Sequence, residues 1–586
     1  MAPRLSTILL GVVSQCYAID GLLDSEALVQ ASVRSHDGAF VSKFIHEEND
    51  GPMVYTQEGP IKGVNENGVV IFKNIPYAEP PRRFDVAEPK KSWAPTVRDG
   101  TVYGAGCIGS HTGVPEKEDC LSLNIWAPKG GLTDLPVMVY FHGGMLQHGS
   151  GQEPLRRGDE IVKSTDHPVI FVNFDFRLGV FGWIWGDQED GVKPNLGLRD
   201  QQLALRWINK NIKAFGGDPG RVTLQGQSEG AGIILVHMVS PGSAGLFHRV
   251  IFHSPPADMW SRKANEERTK FMVKRLGCPM KNGLPSAVTL SCLRKFEAQK
   301  LWYSDWVSEE LSRNMGSPSW LLNAWGMLRF GHNKDLPTYL GWHAVVDNDT
   351  MPGEPRELIR QGKWNKCEVL ITVSKNESFG IFPGSSDSQV NPAVMMGLNT
   401  LMNAKEVPQA IRDYNQTLAR SGVIVHQQGA LTHMIVTDKM WTCDTRSLAS
   451  DVAVGGGTAY LGMFWHSPKV DPVGSMTNAI CTKGATCHAA EMLYSLPQGR
   501  GQGVIGRKHM EEEQKFVEKY SEEIRRFVHG DKVPWVPYDE TMQSLTFYDE
   551  TGHWVVPGYR KEQCEVLDKS MGENLPLFMK RRSGAL

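Results

Sequence analysis

The sequence predicts an α/β fold: a large, mostly parallel sheet flanked by helices on both faces, with long insertions. Three observations predict it. Apolar runs rich in β-branched residues recur at Val69–Phe72, Val137–Phe141, Val169–Val172, Val222–Gln225, Val250–Phe252 and Val369–Val373. Several run without alternation, as strands buried on both faces do. Helical patterns lie between them, the order that builds a covered parallel sheet. No repeat at a period of roughly 20–50 residues appears, which excludes solenoids and propellers.

The helices are read from spacing. Leu203, Leu205, Ile208 and Ile212 fall on one face of a stretch that stops at Gly216-Gly217. A second helix is expected from about Arg507 to Val528, with Met510, Val517, Tyr520, Ile524 and Phe527 on one face and Gly530 past its end. Its Glu511-Glu512-Glu513 run reads as a solvated first turn, where the helix dipole favours anions. No Pro- or Ser-rich linker divides the chain. One large domain over residues 19–586 is therefore expected, with its longest insertions at about 256–345 and 380–440.

Composition narrows the function class. With 586 residues, 41 % hydrophobic and 22 % charged, the chain is neither disordered nor a small disulfide scaffold. A net charge of −3 leaves no electrostatic footprint for nucleic acid. Beyond the N-terminus no apolar stretch is long enough for a spanning helix. Residues 1–18 read as a secretory signal peptide: Arg4, then the apolar run Ile8–Val13, then the small-residue site Cys16-Tyr17-Ala18. Neither a retention signal nor an anchor tail is read at Arg582–Leu586. Removing Cys16 with the leader leaves nine of ten cysteines, an odd number that implies one thiol outside the intrachain pairs. No Cys-x-x-Cys or His-Glu-x-x-His occurs, so no metal site is expected, and disulfides suit an oxidising compartment better. Of two Gly-x-Gly-x-x-Gly matches, Gly104/Gly106/Gly109 holds a cysteine and is followed by polar loop rather than a helix, and Gly501/Gly503/Gly506 follows Ser495-Leu496-Pro497-Gln498, which is no strand, so neither has the strand–helix setting of a dinucleotide site. No cofactor is expected.

The chemistry lies in Gly226-Gln227-Ser228-Glu229-Gly230, a Gly-x-Ser-x-Gly turn. Chance supplies such a match in a chain of this length about as often as not, so context decides. Val222–Gln225 reads as a strand before it and Ala231–Val239 as a helix after it. Strand–turn–helix is the setting that lifts a nucleophilic serine above a sheet. Upstream, the buried run Val137–Phe141 ends in His142-Gly143-Gly144, an ordinary glycine turn or a loop whose N–H groups face an oxyanion.

At these residues the chain resembles the type-B carboxylesterases, the cholinesterase-like α/β-hydrolases. Further motifs carry the resemblance in the family's order: Asn74–Pro81 with Arg83-Phe84, Glu118–Trp126, Asn195–Gln201 and Phe215–Pro219. It implies the α/β-hydrolase fold and carboxylic ester hydrolysis by a secreted serine esterase acting on small-molecule or lipid esters. Glu377, after the strand Val369–Val373, matches the family's acid, and His488, in Gly484–Glu491, its base. The implied triad is Ser228, Glu377 and His488, acting through an acyl-enzyme. The oxyanion would take backbone N–H groups of Gly144, Met145 and Glu229. The resemblance also implies bridges Cys107–Cys120, Cys278–Cys292 and Cys443–Cys564, with Cys481 and Cys487 able to close a small loop and Cys367 left free. Arg83–Glu118 and Arg177–Asp200 match internal ion pairs. Asn348 and Asn415 open glycosylation sequons; Asn376-Glu377-Ser378 also fits but lies beside the triad.

Two positions depart from the family pattern. Met145 stands where a third glycine is usual, and Glu229 where alanine is usual. The segment between Cys107 and Cys120 is short and lacks the tryptophan that cholinesterases use for choline, so acetylcholine is not the expected substrate. The alternative reading is a non-catalytic or weakly active cholinesterase-like adhesion or binding protein.

Overall fold

The computed structural model describes residues 45–48, 51–66, 68–256, 262–304, 342–381, 387–402, 405–468, 481, 485–497 and 507–570. The leader, residues 501–506 of the second glycine match and part of the first insertion lie outside them.

Among the described residues eleven strands form the main sheet: β1 (Val64–Glu66), β2 (Val69–Pro76), β3 (Ser122–Pro128), β4 (Leu135–Phe141), β5 (Ile170–Phe174), β6 (Gly217–Gln227), β7 (Arg249–His253), β8 (Glu368–Ser374), β9 (Thr458–Phe464), β10 (Leu545–Asp549) and β11 (Gly552–Val556). Their spatial order is β11-β10-β9-β8-β7-β6-β4-β5-β3-β2-β1. The seven strands from β10 to β5 pair in parallel, and the strands outside them are antiparallel. The expected mostly parallel sheet is therefore present, with antiparallel margins. All six strands read from apolar runs lie within it.

Both faces are covered. Along β4, Val137, Val139 and Phe141 enter one core while Met138 and Tyr140 enter the other, as period-two geometry requires. The helices that matter for the site are α1 (Leu196–Asn211), α2 (Glu229–Val239), α3 (Gln428–Thr437), α4 (Cys443–Val454) and α5 (Arg507–His529). α2 buries Ile233, Ile234 and Val236 in the first core; α5 buries Val517, Tyr520, Ile524 and Phe527 in the second. α1 starts at Leu196, earlier than its apolar spacing indicated, and its chain stops at Gly216, where φ is +90° and glycine carries no Cβ penalty. α5 ends before Gly530, also left-handed at φ +80°.

Glu513 is not solvated: its side chain is 2 % exposed and accepts from Tyr494 Oη at 2.9 Å. It lies four residues before Val517, so it falls on the buried stripe of α5.

Both insertions follow central strands. Arg262–Arg275, Ala287–Leu293 and Ala298–Ser304 are helices of the one between β7 and β8, while Pro392–Leu401, Val407–Arg420 and α3 belong to the other, between β8 and β9. Disulfides join Cys107–Cys120, Cys278–Cys292, Cys443–Cys564 and Cys481–Cys487, and Cys367 is a free thiol. Arg83 meets Glu118 through Nε at 2.8 Å and Nη2 at 2.5 Å; Arg177 meets Asp200 at 2.7 and 2.6 Å in the same bidentate way. Among the described residues no helix is long and apolar enough to cross a membrane.

Candidate active site

The parallel strands bring their C-terminal ends to one edge, where open α/β sheets place their sites. Phe141 of β4 lies opposite Gly226 of β6, Gln227 opposite His253 of β7, and Ser374 of β8 opposite Phe464 of β9. The residues that follow β4, β6 and β8 therefore emerge side by side.

Ser228 joins β6 to α2 at φ 54° and ψ −132°, a backbone state costing on the order of 1–3 kcal/mol for a side-chain-bearing residue. The surroundings enforce it. A Cβ on Gly226 would sit 2.3 Å from Gly230 O, and one on Gly230 would sit 2.2 Å from Phe141 O. Neither glycine can be replaced without moving backbone. Ser228 N–H donates to His253 O at 2.9 Å, tying the turn to β7.

Glu377 follows β8 and is fully buried. One carboxylate oxygen accepts Ser374 N–H at 2.6 Å, and the other lies 2.6 Å from His488 Nδ1. A proton on Nδ1 satisfies that contact and leaves Nε2 as an acceptor. Nε2 is 3.0 Å from the Gln227 side-chain nitrogen, which then donates to it. No hydrogen bond joins Ser228 Oγ to His488 among the described residues. The imidazole is also flanked by Trp441, whose ring centre is 5.5 Å away. Trp441 sits in a π-helical turn, Asp438–Thr442, between α3 and α4; such turns recur at functional sites.

A second buried carboxyl lies behind the first. Glu491 accepts Ser254 Oγ–H at 2.6 Å and Ser374 Oγ–H at 2.8 Å. Burial, reinforced by the charge of Glu377, pushes its carboxyl up to about 7 against the pull of those hydroxyls.

The loop after β4 touches the serine turn. A Cβ on Gly143 would lie 2.7 Å from Gln227 O and 3.2 Å from Ser228 Cβ. Gly144 has φ +118° and Met145 φ +57°, so Met145 occupies a left-handed position that glycine would hold without strain. His142 stacks on Phe176 with ring centres 4.5 Å apart, and burial lowers its ring to about 4. It is a neutral support for the loop.

Glu229 opens α2, and its carboxylate folds back along its own helix. A Cβ on Gly232 would meet Glu229 Cδ at 3.4 Å, and His343 Nδ1 lies 3.8 Å from Glu229 Oε1. The first glycine match also has a structural use: Gly106-Cys107 pairs with Glu116-Lys117, and Gly109 is covered by Trp302, whose Nε1 would stand 2.0 Å from an added Cβ. Asn348 is exposed, whereas Asn415 is half-buried on the helix Val407–Arg420. No local pattern in the sequence points to the Gln227 contact or to Trp441, and Glu491 stands there only as the last letter of the Gly484–Glu491 motif.

Comparison with known proteins agrees with this architecture. A model of the carboxylesterase family matches residues 50–567. The chain is 28 % identical over 548 residues to para-nitrobenzyl esterase of Bacillus subtilis (strain 168), covering 90 % of this chain and 98 % of that protein. It is 39 % identical over 268 residues to juvenile hormone esterase of Tribolium castaneum, covering 43 % and 45 %. A solved PNB esterase superposes with a TM-score of 0.69 at 26 % identity, over 88 % of this chain and 99 % of that one. The chain thus belongs to the carboxylesterase family, the type-B carboxylesterase and cholinesterase group, and is a carboxylic ester hydrolase with the α/β-hydrolase fold.

Proposed function

We propose that Ser228, His488 and Glu377 form the catalytic triad and that hydrolysis runs through an acyl-enzyme on Ser228. The observation that carries this reading is the 2.6 Å contact between Glu377 and His488 Nδ1, made beside a strained serine turn from residues far apart in sequence. Glu377 holds the tautomer in which Nε2 is basic. Nε2 has one in-plane lone pair, so substrate entry exchanges the Gln227 N–H for the Ser228 hydroxyl. Oγ then attacks the ester carbonyl as Nε2 takes its proton, and the oxyanion receives N–H groups of Gly144, Met145 and Glu229. The imidazolium gives its proton to the leaving alcohol. Water, activated by the same nitrogen, attacks the acyl carbonyl, releasing the acid and restoring Ser228.

On this reading residues 19–586 are one catalytic domain, secreted after loss of residues 1–18 and glycosylated at Asn348 and Asn415. The four disulfides support the oxidising compartment. Substrates are small-molecule or lipid esters, and acetylcholine is not the expected one. Trp302, packed on Gly109 and His111 of the Cys107–Cys120 segment, is 1 % exposed and offers no open face to a quaternary ammonium. Purified protein is expected to hydrolyse p-nitrophenyl butyrate with an initial burst of one p-nitrophenol per active site, and to lose that activity to a fluorophosphonate. Turnover untouched by a full excess of the inhibitor would contradict the assignment.

The charge at Glu229 gives a sharper expectation. A carboxylate 6 Å from the oxyanion at an effective dielectric of 20 would cost roughly 2.8 kcal/mol, about a hundredfold in rate. Folded along its own helix toward Gly232 with its side chain only 11 % exposed, a carboxylate at about 10 Å under the same effective dielectric costs roughly 1.7 kcal/mol. Glu229→Ala is accordingly expected to change kcat on neutral esters by less than about twentyfold. A gain near a hundredfold would place the carboxylate in the pocket.

A further inference from the structure

His466 lies two residues beyond the end of β9, outside the reacting groups, and both of its ring nitrogens face carboxylates. Nε2 is 2.6 Å from Glu513 Oε2 on α5, and Nδ1 is 2.5 Å from Glu550 Oε2 in the turn between β10 and β11. Ionised carboxylate oxygens only accept. Glu513 Oε2 already accepts the Tyr494 hydroxyl, which suits an anion, and the Glu550 carboxyl is 61 % exposed to water. Both imidazole nitrogens therefore carry protons, and the ring is a cation between two anions. Phe516 and Tyr494 wall it in, with ring centres 4.5 and 5.3 Å away. Among the described residues, Glu513, Tyr494 and Glu550 are the titratable groups facing the ring.

The same segment holds the two loops that carry the acid and the base. His466 O accepts Thr486 Oγ1–H at 2.9 Å, and Thr486 is two residues before His488. Thr486 O accepts Asn376 N–H at 2.9 Å, while Asn376 Oδ1 accepts Thr486 N–H at 3.2 Å, and Asn376 adjoins Glu377. Phe464 O accepts Lys375 N–H at 3.1 Å. The end of β9 is thus a junction from which Glu377 and His488 both hang.

We propose that His466 is a positioning residue: its positive charge, clamped between Glu513 and Glu550, keeps the junction docked and so holds Glu377 and His488 in register. This rests on the triad reading above. Loss of one ring proton turns a nitrogen lone pair against a carboxylate. The exposed Glu550 then leaves most readily, the Thr486 anchor loosens, and His488 loses its alignment. Substrate contacts at the serine turn are untouched, so kcat falls while KM holds. Burial opposes the charge, but the hydrogen bonds to Glu513 and Glu550 outweigh it and raise the ring above the ordinary histidine range. The sign follows: the clamp is intact below that raised value and is lost as pH rises through it. Because hydrolysis also needs neutral His488, kcat is bell-shaped in pH, with His466 setting the alkaline limb.

The test is kcat and KM on p-nitrophenyl butyrate from about pH 6 to about pH 10 for the full chain and four variants. Glu513→Gln and Glu550→Gln each remove one anion and are expected to move the alkaline limb down by about one pH unit, with KM within about twofold. His466→Arg keeps the cation, and its kcat stays flat where the parent declines. His466→Gln lowers kcat severalfold even at neutral pH. Should the histidine variants fail to fold, Glu550→Gln at the exposed side of the clamp still decides. A parent without an alkaline limb, or a limb unmoved in both glutamine variants, overturns the proposal. Full activity in Ser228→Ala would instead overturn the triad reading on which it stands.

Discussion

Ser228→Ala is expected to lower kcat/KM on p-nitrophenyl butyrate by roughly a thousandfold to a millionfold, with only oxyanion-hole and binding effects left. The fold should be unchanged, and the reason is local. Alanine retains the Cβ and so meets the same backbone cost at φ 54° that serine meets; only Oγ is removed. Ser228 N–H still donates to His253 O, and the flanking glycines still fit against Phe141 O and each other. Steady-state kinetics together with a thermal melt check both halves. A melt within a few degrees of the parent alongside retained turnover would contradict the nucleophile assignment.

Glu377→Gln should be the next largest effect, a fall in kcat of about ten-thousandfold. Glu377 uses both oxygens as acceptors, one for Ser374 N–H and one for the His488 Nδ1 proton. A glutamine has one oxygen. If that oxygen serves Ser374, its NH2 faces Nδ1 and selects the tautomer whose proton sits on Nε2, which cannot take the Ser228 proton. The substitution also removes a charge beside buried Glu491, so stability should not fall with activity. The pH–rate profile and a melt test this. A loss below about tenfold would mean that His488 keeps its tautomer without the carboxylate.

The centre of this molecule is legible because it is buried on both faces. Strands such as Val137–Phe141 and Val369–Val373 have no polar side to disguise them. The margins are not. Ser122–Pro128 mixes Ser, Asn and Pro into its run, Thr458–Phe464 carries Gly462, and β10 and β11 have five residues each, too few to set a period. Ser228, Glu377 and His488 were findable from motifs standing in a fixed order. The Gln227–His488 contact joins residues 261 apart, and the His466–Glu513 contact residues 47 apart, without any local pattern. Glu513 is the instructive case. Its neighbours in sequence are acidic, which suggested a solvated turn, but its helical phase with Val517, Tyr520 and Ile524 already put it on the buried stripe. Phase was the better guide than composition.

The central claim is that Ser228 carries the acyl group. Native protein labelled with a fluorophosphonate, and separately acid-quenched during p-nitrophenyl butyrate turnover, can be digested and read by peptide mass spectrometry. Both adducts are expected on the peptide holding Gly226–Gly230, at Ser228, at one per chain. An adduct on any other residue, or steady turnover with no covalent species on that peptide, would contradict it.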